Sequence, residues 1–216
     1  MSTAPLALQL AVRMERTDPP TVPAVCAATA LATIAMLEDE RSGPDGPWHE
    51  AVSAWNGARI RKIVRRGRGS AWRRAQAVDG VEVMRDGATV RAFVPGPTDR
   101  VPPPVAKLQI QSTDQPEIPE TETLPDVAGL VILVTPGVEM TWGKRAAQCA
   151  HAGHRAWERA EPSRRQGWDE AGRPLTVVHP DRALWQSLLP TAEVRIRDAG
   201  YTEIPSGTTT ALALWR

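Results

Sequence analysis

Four polar side chains that could stabilise a negative charge recur on one side of a predicted helix. In "MTWGKRAAQCAHAGHRAW", residues 140–157, the polar positions Lys144, Gln148, His151 and Arg155 stand at i, i+4, i+7 and i+11. This spacing places them on one stripe of a 3.6-residue helical period. Lysine is rare in this arginine-rich chain, and an ammonium beside the free N–H groups of a helix start suits a phosphate or a developing oxyanion. The same stripe also fits an ordinary amphipathic helix with a solvated polar face.

A second polar stretch, "RDAGYTEIPSGTTTALALW" at residues 197–215, follows a predicted strand. It carries an acid, Asp198, at the strand end beside Gly200, it includes Thr202, and it leads into another predicted strand. Each residue also has a structural explanation, since an acid beside Gly200 forms turns and threonines favour strands. Only the combination with the lysine helix indicates a reactive site.

The elements that must position these side chains form a layered α/β pattern in the C-terminal part of the chain. Short apolar or alternating runs predict strands, and an alanine-rich run predicts a helix over residues 144–159. Asp181 is a candidate N-cap for a short helix that stops at Pro190. The predicted order of elements is β-α-β-α-β-β, with a mixed sheet. In chain order the segments are the strand "GLVILVTP", the alanine-rich helix, a polar connection "EPSRRQGWDEAGRP", the strand "PLTVVHP", the helix "DRALWQSLLP", and the strands "AEVRIRD" and "TTTALALW".

The N-terminal part of the chain resembles the C-terminal part, which indicates an internal repeat. Residues 6–30 align without a gap to residues 129–153, so that Cys26 falls on Cys149. Further matches in the same order are Trp55 with Trp168, Arg59 with Arg173, and Trp72 with Trp185. A stretch rich in proline, threonine and acids, residues 111–126, predicts a solvated linker between two domains at residues 4–112 and 127–216.

Composition and charge exclude several classes of protein. The net charge of +1 gives no overall attraction to a polyanion, so such a partner must bind a local patch. The longest apolar runs are too short to span a bilayer, and the first residues do not resemble a secretory signal. Cys26 and Cys149 lie in helix-like apolar runs, so we expect free thiols in a reduced, intracellular protein. The histidines lack further ligands at metal-binding spacing, so no metal is expected.

The two polar stretches together resemble the signature of the type 2 peptidyl-tRNA hydrolase family. The matching positions are Met140, Gly143, Lys144, Ala146, Ala147, Gln148, His151 and Ala152, followed by Asp198, Ala199, Gly200, Thr202 and Gly207. The resemblance covers about 90 residues of the C-terminal part. It implies a β-α-β-α-β-β fold and a cytoplasmic enzyme that cleaves the ester between a peptide and the terminal ribose of tRNA. No cofactor, metal or membrane is implied.

The resemblance also implies a role for each polar residue. Asp198 would orient or deprotonate the attacking water, and Lys144 would stabilise the oxyanion or a nearby phosphate. Thr202 and Gln148 would supply neutral hydrogen bonds, and His151 would position its neighbours. The residues expected to bind the tRNA backbone are Arg145, Arg155, Arg159 and Thr208, with Arg164 and Arg165 as further candidates.

Departures from the family pattern leave two other functions open. Pro136 and Gly137 stand where the family has an arginine and an aspartate, and Tyr201 and Glu203 replace an arginine and a glutamine. One alternative is a pseudoenzyme that binds RNA or protein without catalysis. The other is a hydrolase or transferase of a different acylated substrate.

The N-terminal part departs further from the pattern. Thr21, Val25 and Ala28 occupy the positions of the lysine, glutamine and histidine, and only Asp86 remains of the expected site. Because single-domain members of the family pair as symmetric dimers, we expect two similar three-layer domains that form a pseudo-dimer within one monomeric chain. The N-terminal domain of that pair would be catalytically silent.

Overall fold

The computed structural model describes residues 4–58, 60–110, 118–198 and 204–216, which form an α/β structure with two mixed sheets. The N-terminal half contains β1 (Leu6–Arg13), α1 (Val22–Glu38), α2 (His49–Asn56), β2 (Lys62–Gly67), α3 (Gly69–Gln76), β3 (Gly80–Arg85), β4 (Ala88–Phe93), β5 (Gly96–Pro97) and α4 (Pro103–Ala106). A short 3₁₀ helix, Glu40–Ser42, lies between α1 and α2.

The C-terminal half contains the predicted elements and one helix more. Its elements are β6 (Leu130–Val134), α5 (Trp142–Arg159), α6 (Pro162–Glu170), β7 (Leu175–Val178), α7 (Arg182–Leu188), β8 (Val194–Arg197) and β9 (Thr209–Trp215). The prediction of a polar connection was wrong, because that segment forms α6. This helix has Pro162 in its first turn and buries Trp168, whose indole outweighs the polar composition of its neighbours.

The two sheets have the same strand order and the same strand directions. The orders are β2-β1-β4-β3 and β7-β6-β9-β8, and in each the first pair is parallel and the other pairs are antiparallel. A local contact recurs as well. The indole Nε1 of Trp55 donates to the carbonyl of Arg61 at 3.0 Å, and that of Trp168 donates to the carbonyl of Pro174 at 2.8 Å. The halves therefore share topology and a detail of side-chain placement.

The central core lies between the two sheets and is filled by α1 and α5. Each of these helices also reaches the other half, since α1 contacts β7 and α5 contacts β2. The outer face of the first sheet is covered around Trp72 and Leu108, and that of the second around Trp185. Each sheet is thus covered by apolar side chains on both faces, as in a layered α/β fold.

Small side chains let α1 and α5 cross closely. A Cβ added at Gly153 would lie 3.0 Å from the Cβ of Ala30, tighter than an ordinary contact. Cys26 and Cys149 are buried free thiols, as expected. Contact with the Cys26 thiol, together with burial, raises the pKa of Cys149 well above its ordinary value. Both contacts join residues 123 positions apart, which is the offset of the sequence repeat.

Part of the expected linker is attached to the C-terminal half. The amide of Thr121 donates to the carbonyl of His179, and the amide of Asp181 donates to Thr121, each at 2.8 Å. Leu124 and Val127 pack against the outer core of the second sheet. The predicted solvated linker is exposed at most positions of residues 118–126 but is attached at Thr121 and Leu124, and residues 111–117 lie outside the described part. Within the described residues no helix has the length and hydrophobicity needed to cross a membrane.

Candidate functional site

The predicted lysine and aspartate lie together at the start of α5. Thr141 caps the helix, its hydroxyl accepting from the amide of Lys144 at 3.4 Å. Lys144 Nζ lies 3.2 Å from Asp198 Oδ2, and their side chains are only 11% and 8% exposed. Asp198 directly follows β8, where its amide donates to the carbonyl of Thr208 at 2.9 Å. A paired cation and carboxylate of low exposure therefore stand beside the helix N-terminus, where electrostatic interactions are strong.

Gln148 joins this pair one helical turn further along. Its Nε2 donates to Asp198 Oδ2 at 3.2 Å, and its Oε1 accepts from the hydroxyl of Thr210 at 2.7 Å. The two bonds use both ends of the amide and fix its orientation. One carboxylate oxygen of Asp198 thus forms an ion pair with Lys144 and accepts a hydrogen bond from the neutral Gln148 amide.

Sequence reasoning missed Thr210, which it treated as one β-forming threonine among three. The side chain is fully buried at the start of β9, on the face towards α5. The available signal was the alternation of a strand, because one of three consecutive threonines must point inward. Thr208, which we expected to bind tRNA, instead donates its hydroxyl to the carbonyl of Pro205 at 2.8 Å. Thr202 lies outside the described residues.

A cleft of about 1010 Å³ opens in front of this group, and residues of both halves line it. Among the described lining residues one is acidic, Asp198, and seven are basic. The basic residues are Arg61, Lys62, Lys144, Arg155, Arg159, Arg195 and Arg197. The cleft is therefore strongly cationic although the whole chain is nearly neutral, which is the local patch that a polyanion would need.

The predicted tRNA-binding arginines divide between two locations. Arg155 and Arg159 are exposed and line the cleft. Arg145 is half-buried and is not among the lining residues. It lies near His179, whose pKa is lowered to about 4 mainly by burial and to a lesser extent by the charge of Arg145. Arg165 stacks over Trp157, 4.3 Å from the ring centroid. Arg155 and Arg159 are thus the arginines of the predicted set that line the cleft.

His151 lies on the cleft wall but contacts the other half of the chain rather than Asp198. Its Nδ1 is 3.3 Å from Nζ of Lys62 on β2. Burial, with the nearby charge of Lys62 as a further cause, lowers the pKa of His151 well below its ordinary value. The imidazole is therefore neutral at neutral pH, which fits a hydrogen-bonding role better than a cationic one.

Among residues 4–58 and 60–110, the described part of the N-terminal half, there is no equivalent group. Asp86, the residue that remained of the second motif, sits with Gly87 in the tight turn between β3 and β4, where both have positive φ. In the C-terminal half the corresponding connection runs from Asp198 to residue 208. Thr21, at the lysine position, is the N-cap of α1, because the prolines before it delay the helix start.

The C-terminal half of the chain is similar in sequence to known proteins. A sequence profile of the family Peptidyl-tRNA hydrolase PTH2 matches residues 128–215. "Peptidyl-tRNA hydrolase" of Methanothermobacter thermautotrophicus is 31% identical over 93 residues, which cover 39% of this chain and 81% of that protein. The chain belongs to the peptidyl-tRNA hydrolase 2 family.

Mammalian relatives in the peptidyl-tRNA hydrolase 2 family are matched over a smaller part of their length. "Peptidyl-tRNA hydrolase 2, mitochondrial" of Bos taurus is 34% identical over 112 residues, or 44% of this chain and 63% of that protein. The Homo sapiens protein of the same name is 34% identical over 95 residues, or 39% of this chain and 53% of that protein. The chain thus spans less than two thirds of these two relatives, and the profile match corresponds to its C-terminal half.

Replacement of Thr210 by valine tests the hydrogen bond that orients Gln148. Valine keeps the shape of threonine but leaves Oε1 of the buried Gln148 without its donor. A buried acceptor left unpaired costs about 1–3 kcal/mol. We expect Thr210→Val to lower the free energy of unfolding in urea by that amount, and the adjacent half-buried Thr209→Val to change it little. Equal effects of the two substitutions would contradict the assignment.

The buried histidines predict how stability depends on pH. The pKa of His154 is lowered to about 4, mainly by burial. The contact with Glu158 raises this pKa and the nearby charge of Lys62 lowers it further. In the unfolded chain a histidine titrates near 6.5, so the unfolded state binds more protons between about pH 6.5 and 4. Stability therefore decreases as the pH falls through this window, by on the order of 1.4 kcal/mol per pH unit for each such histidine.

Urea unfolding at several pH values measures this dependence. We expect His154→Gln to reduce the slope of stability against pH between pH 6 and 4.5 by about 1.4 kcal/mol per pH unit, which corresponds to the uptake of one proton on unfolding. The contact with His154 lowers the pKa of Glu158 to about 2, so that carboxylate loses its contribution only at lower pH. An unchanged slope in the variant would show that His154 already titrates normally in the folded protein.

Proposed function

We propose that this chain hydrolyses the ester of peptidyl-tRNA and releases the peptide and free tRNA. The observation that carries the proposal is the group formed by Lys144, Asp198 and Gln148, which unites both sequence motifs at the start of α5. The family membership and the cationic cleft support it. Relatives of this chain are named for the same activity.

Each residue of the group has a defined chemical task in this reaction. The carboxylate of Asp198 accepts a proton from water, whose oxygen attacks the ester carbonyl carbon. Lys144 stabilises the negative charge that develops on the carbonyl oxygen of the tetrahedral intermediate. Gln148 holds Asp198 in position, since its amide is itself fixed by the buried Thr210. Collapse of the intermediate breaks the bond to the ribose oxygen, which leaves with the proton that Asp198 took from water, so that the carboxylate is regenerated.

The arginines of the cleft are the proposed binding surface for tRNA. Arg155 and Arg159 follow the reactive group along α5, and Arg195 and Arg197 follow β8 towards Asp198. Arginine binds phosphate oxygens through its planar fork of donors. A backbone contacted here would bring the acylated 3′ end to Lys144. Thr202, Thr208 and Arg145 remain proposals of sequence reasoning alone.

The decisive experiment is the release of peptide from purified N-blocked aminoacyl-tRNA by the full chain. Release with turnover supports the proposed function, and binding without release supports the pseudoenzyme alternative. Release from a small acyl ester but not from tRNA would support the second alternative, an enzyme for a different acylated substrate, for which Tyr201 and Glu203 are the motivation. Each reaction should be compared with the Asp198→Asn variant, which excludes a contaminating hydrolase.

The salt dependence of tRNA binding is a separate prediction. About 3–5 phosphate contacts should give a slope of log affinity against log salt concentration of roughly −2 to −4. Titrations of labelled tRNA at several salt concentrations measure it. Arg155→Gln or Arg159→Gln should each make the slope shallower by about one unit. A flat slope in the wild-type chain would contradict a nucleic-acid substrate.

We also propose that residues 4–112 and 127–216 are duplicated domains arranged as a pseudo-dimer. Equivalent residues meet where α1 crosses α5, namely Cys26 with Cys149 and Ala30 with Gly153. Such self-pairing is the mark of a two-fold interface, at which the same patch faces itself. The reciprocal contacts of α1 with β7 and α5 with β2 follow the same relation.

This arrangement predicts a monomer in solution, since the face that a single domain would pair is already covered. Light scattering of the full chain measures the mass, and a stable dimer would contradict the proposal. The N-terminal domain would be catalytically silent, because Thr21, Val25 and Ala28 offer no cation or amide. We propose a cytoplasmic location on the basis of the reduced thiols; mitochondrial relatives also exist.

A further inference from the structure

One lysine of the N-terminal half reaches the candidate site of the other half. Lys62, the first residue of β2, is 8% exposed, and its Nζ lies 3.3 Å from Nδ1 of His151 and 3.0 Å from Nδ1 of His154. Its ammonium is also 5.1 Å from the ring centroid of Trp55. Burial of such a group in an apolar interface is costly unless it is well bonded, so these contacts are specific.

We propose that Lys62 is a positioning residue for the C-terminal site, which holds His151 with its Nε2–H directed into the cleft. This inference deepens the proposed function and rests on it for its kinetic consequence. It assigns to the N-terminal half a part in the reaction, although the described residues of that half form no group like that of Lys144 and Asp198. The contact across the two halves is the observation that carries it.

The chemistry of the contact fixes the tautomer of the imidazole. A lysine amine donates hydrogen bonds, so Nδ1 of His151 must be the acceptor and the proton of the neutral ring lies on Nε2. Burial and the charge of Arg155 lower the pKa of Lys62 well below its ordinary value. In either protonation state the amine carries at least two hydrogens, one for each of the two Nδ1 atoms.

The neighbours of Lys62 hold it in this position. His154 is fully buried and stacks on Trp55 with ring centroids 5.4 Å apart and planes 18° from parallel. Its Nε2 lies 3.1 Å from Glu158 Oε1, and that oxygen accepts from Asn56 Nδ2 at 3.0 Å. Side chains of both halves thus lock the second histidine, and through it the lysine, against α5.

The result is a neutral donor on the cleft wall, one helical turn beyond Gln148. His151 lines the cleft and is half-buried. Among the described residues Nδ1 is the ring nitrogen that bonds to the protein, which leaves Nε2 for a substrate oxygen. A hydrogen bond of this kind contributes about 0.5–1.5 kcal/mol, or roughly 2- to 10-fold in affinity. It binds substrate and transition state alike, so its loss raises KM and leaves kcat nearly unchanged.

Nitrogen NMR of the imidazole rings and steady-state kinetics on the full chain test the proposal together. We expect wild-type His151 to show a single Nε2–H tautomer, and Lys62→Met to give a mixture of tautomers with KM raised up to about 10-fold. Lys107→Met, an exposed lysine of the same half, is the matched control and should change neither. In a His151→Phe background, Lys62→Met should have no further effect on KM, since the lysine acts through that histidine.

Several results would overturn the proposal. One is an Nδ1–H tautomer of His151 in the wild-type chain, which can be seen even if Lys62→Met fails to fold. Another is additivity of Lys62→Met and His151→Phe, which would indicate a merely structural lysine. If the wild-type chain releases no peptide, the proposed function fails, and the tautomer measurement still decides the contact. If the wild-type chain releases peptide and Lys62→Met has wild-type KM and kcat, the proposed function is supported and the positioning role of Lys62 is disproved.

Discussion

Asp198→Asn and Lys144→Ala are each expected to reduce the release of peptide from peptidyl-tRNA by about 10²–10³-fold, the usual effect of removing one positioned group. Asparagine keeps the shape of Asp198 and can still accept from Gln148, but it cannot take a proton from water. Alanine at position 144 removes the cation that we propose stabilises the developing oxyanion. Because the two side chains form one group, the double variant should be little worse than either single variant.

The N-terminal half offers matched controls for both substitutions. Asp86→Asn changes the aspartate at the equivalent position, which lies exposed in a tight turn. Lys107→Ala removes an exposed lysine. Both should keep wild-type kcat and KM, and all four variants should keep the wild-type circular dichroism. Wild-type rates in Asp198→Asn and Lys144→Ala would show that the reactive group lies elsewhere.

Gly153→Leu is expected to destabilise the whole chain by about 1–3 kcal/mol, the cost of overpacking a tight core position. Even a Cβ at this residue would lie 3.0 Å from that of Ala30, so a larger side chain must force α1 and α5 apart. Because α1 and α5 pack between the two sheets, we expect their separation to widen the cleft that both halves line. Urea unfolding measures the stability, and KM for peptidyl-tRNA reports on the cleft.

A second helical glycine controls for the backbone effect of this substitution. Gly167 lies in α6, is exposed, and would have open space around an added Cβ. Gly167→Leu should therefore be neutral or stabilising by up to about 1 kcal/mol, because leucine favours the helix more than glycine does. If Gly153→Leu proved equally harmless, the close crossing of α1 and α5 would be disproved.

Much of the fold followed from local sequence patterns. The continuous apolar run of β6 and the capped α5 and α7 were predictable, because burial and capping act over a few residues. The helix α6 was not predictable, since its sequence is polar and Trp168 is its one buried side chain. The attachment of Thr121 to the second sheet could not be predicted either, because it is made by backbone hydrogen bonds, which any residue type can form.

The candidate site shows the same division between local and distant information. Helical spacing placed Lys144 and Gln148 on one side of α5, and the resemblance to the family connected Asp198 with them. Thr210 was missed because a buried hydroxyl and a strand-forming one have the same sequence. Lys62 was missed although lysine is rare here, since its partner lies 89 residues away and no local period connects them.

The shared cleft has a consequence for how the two halves can change. In an assembly of identical subunits every substitution appears in both copies, so one half cannot change without the same change in the other. Here Arg61 and Lys62 are encoded separately from Lys144 and Asp198, and the cleft joins them. One half can therefore accumulate changes that adjust substrate recognition while the other keeps its chemistry. Libraries confined to residues 60–64 would be the natural starting point for altering substrate preference.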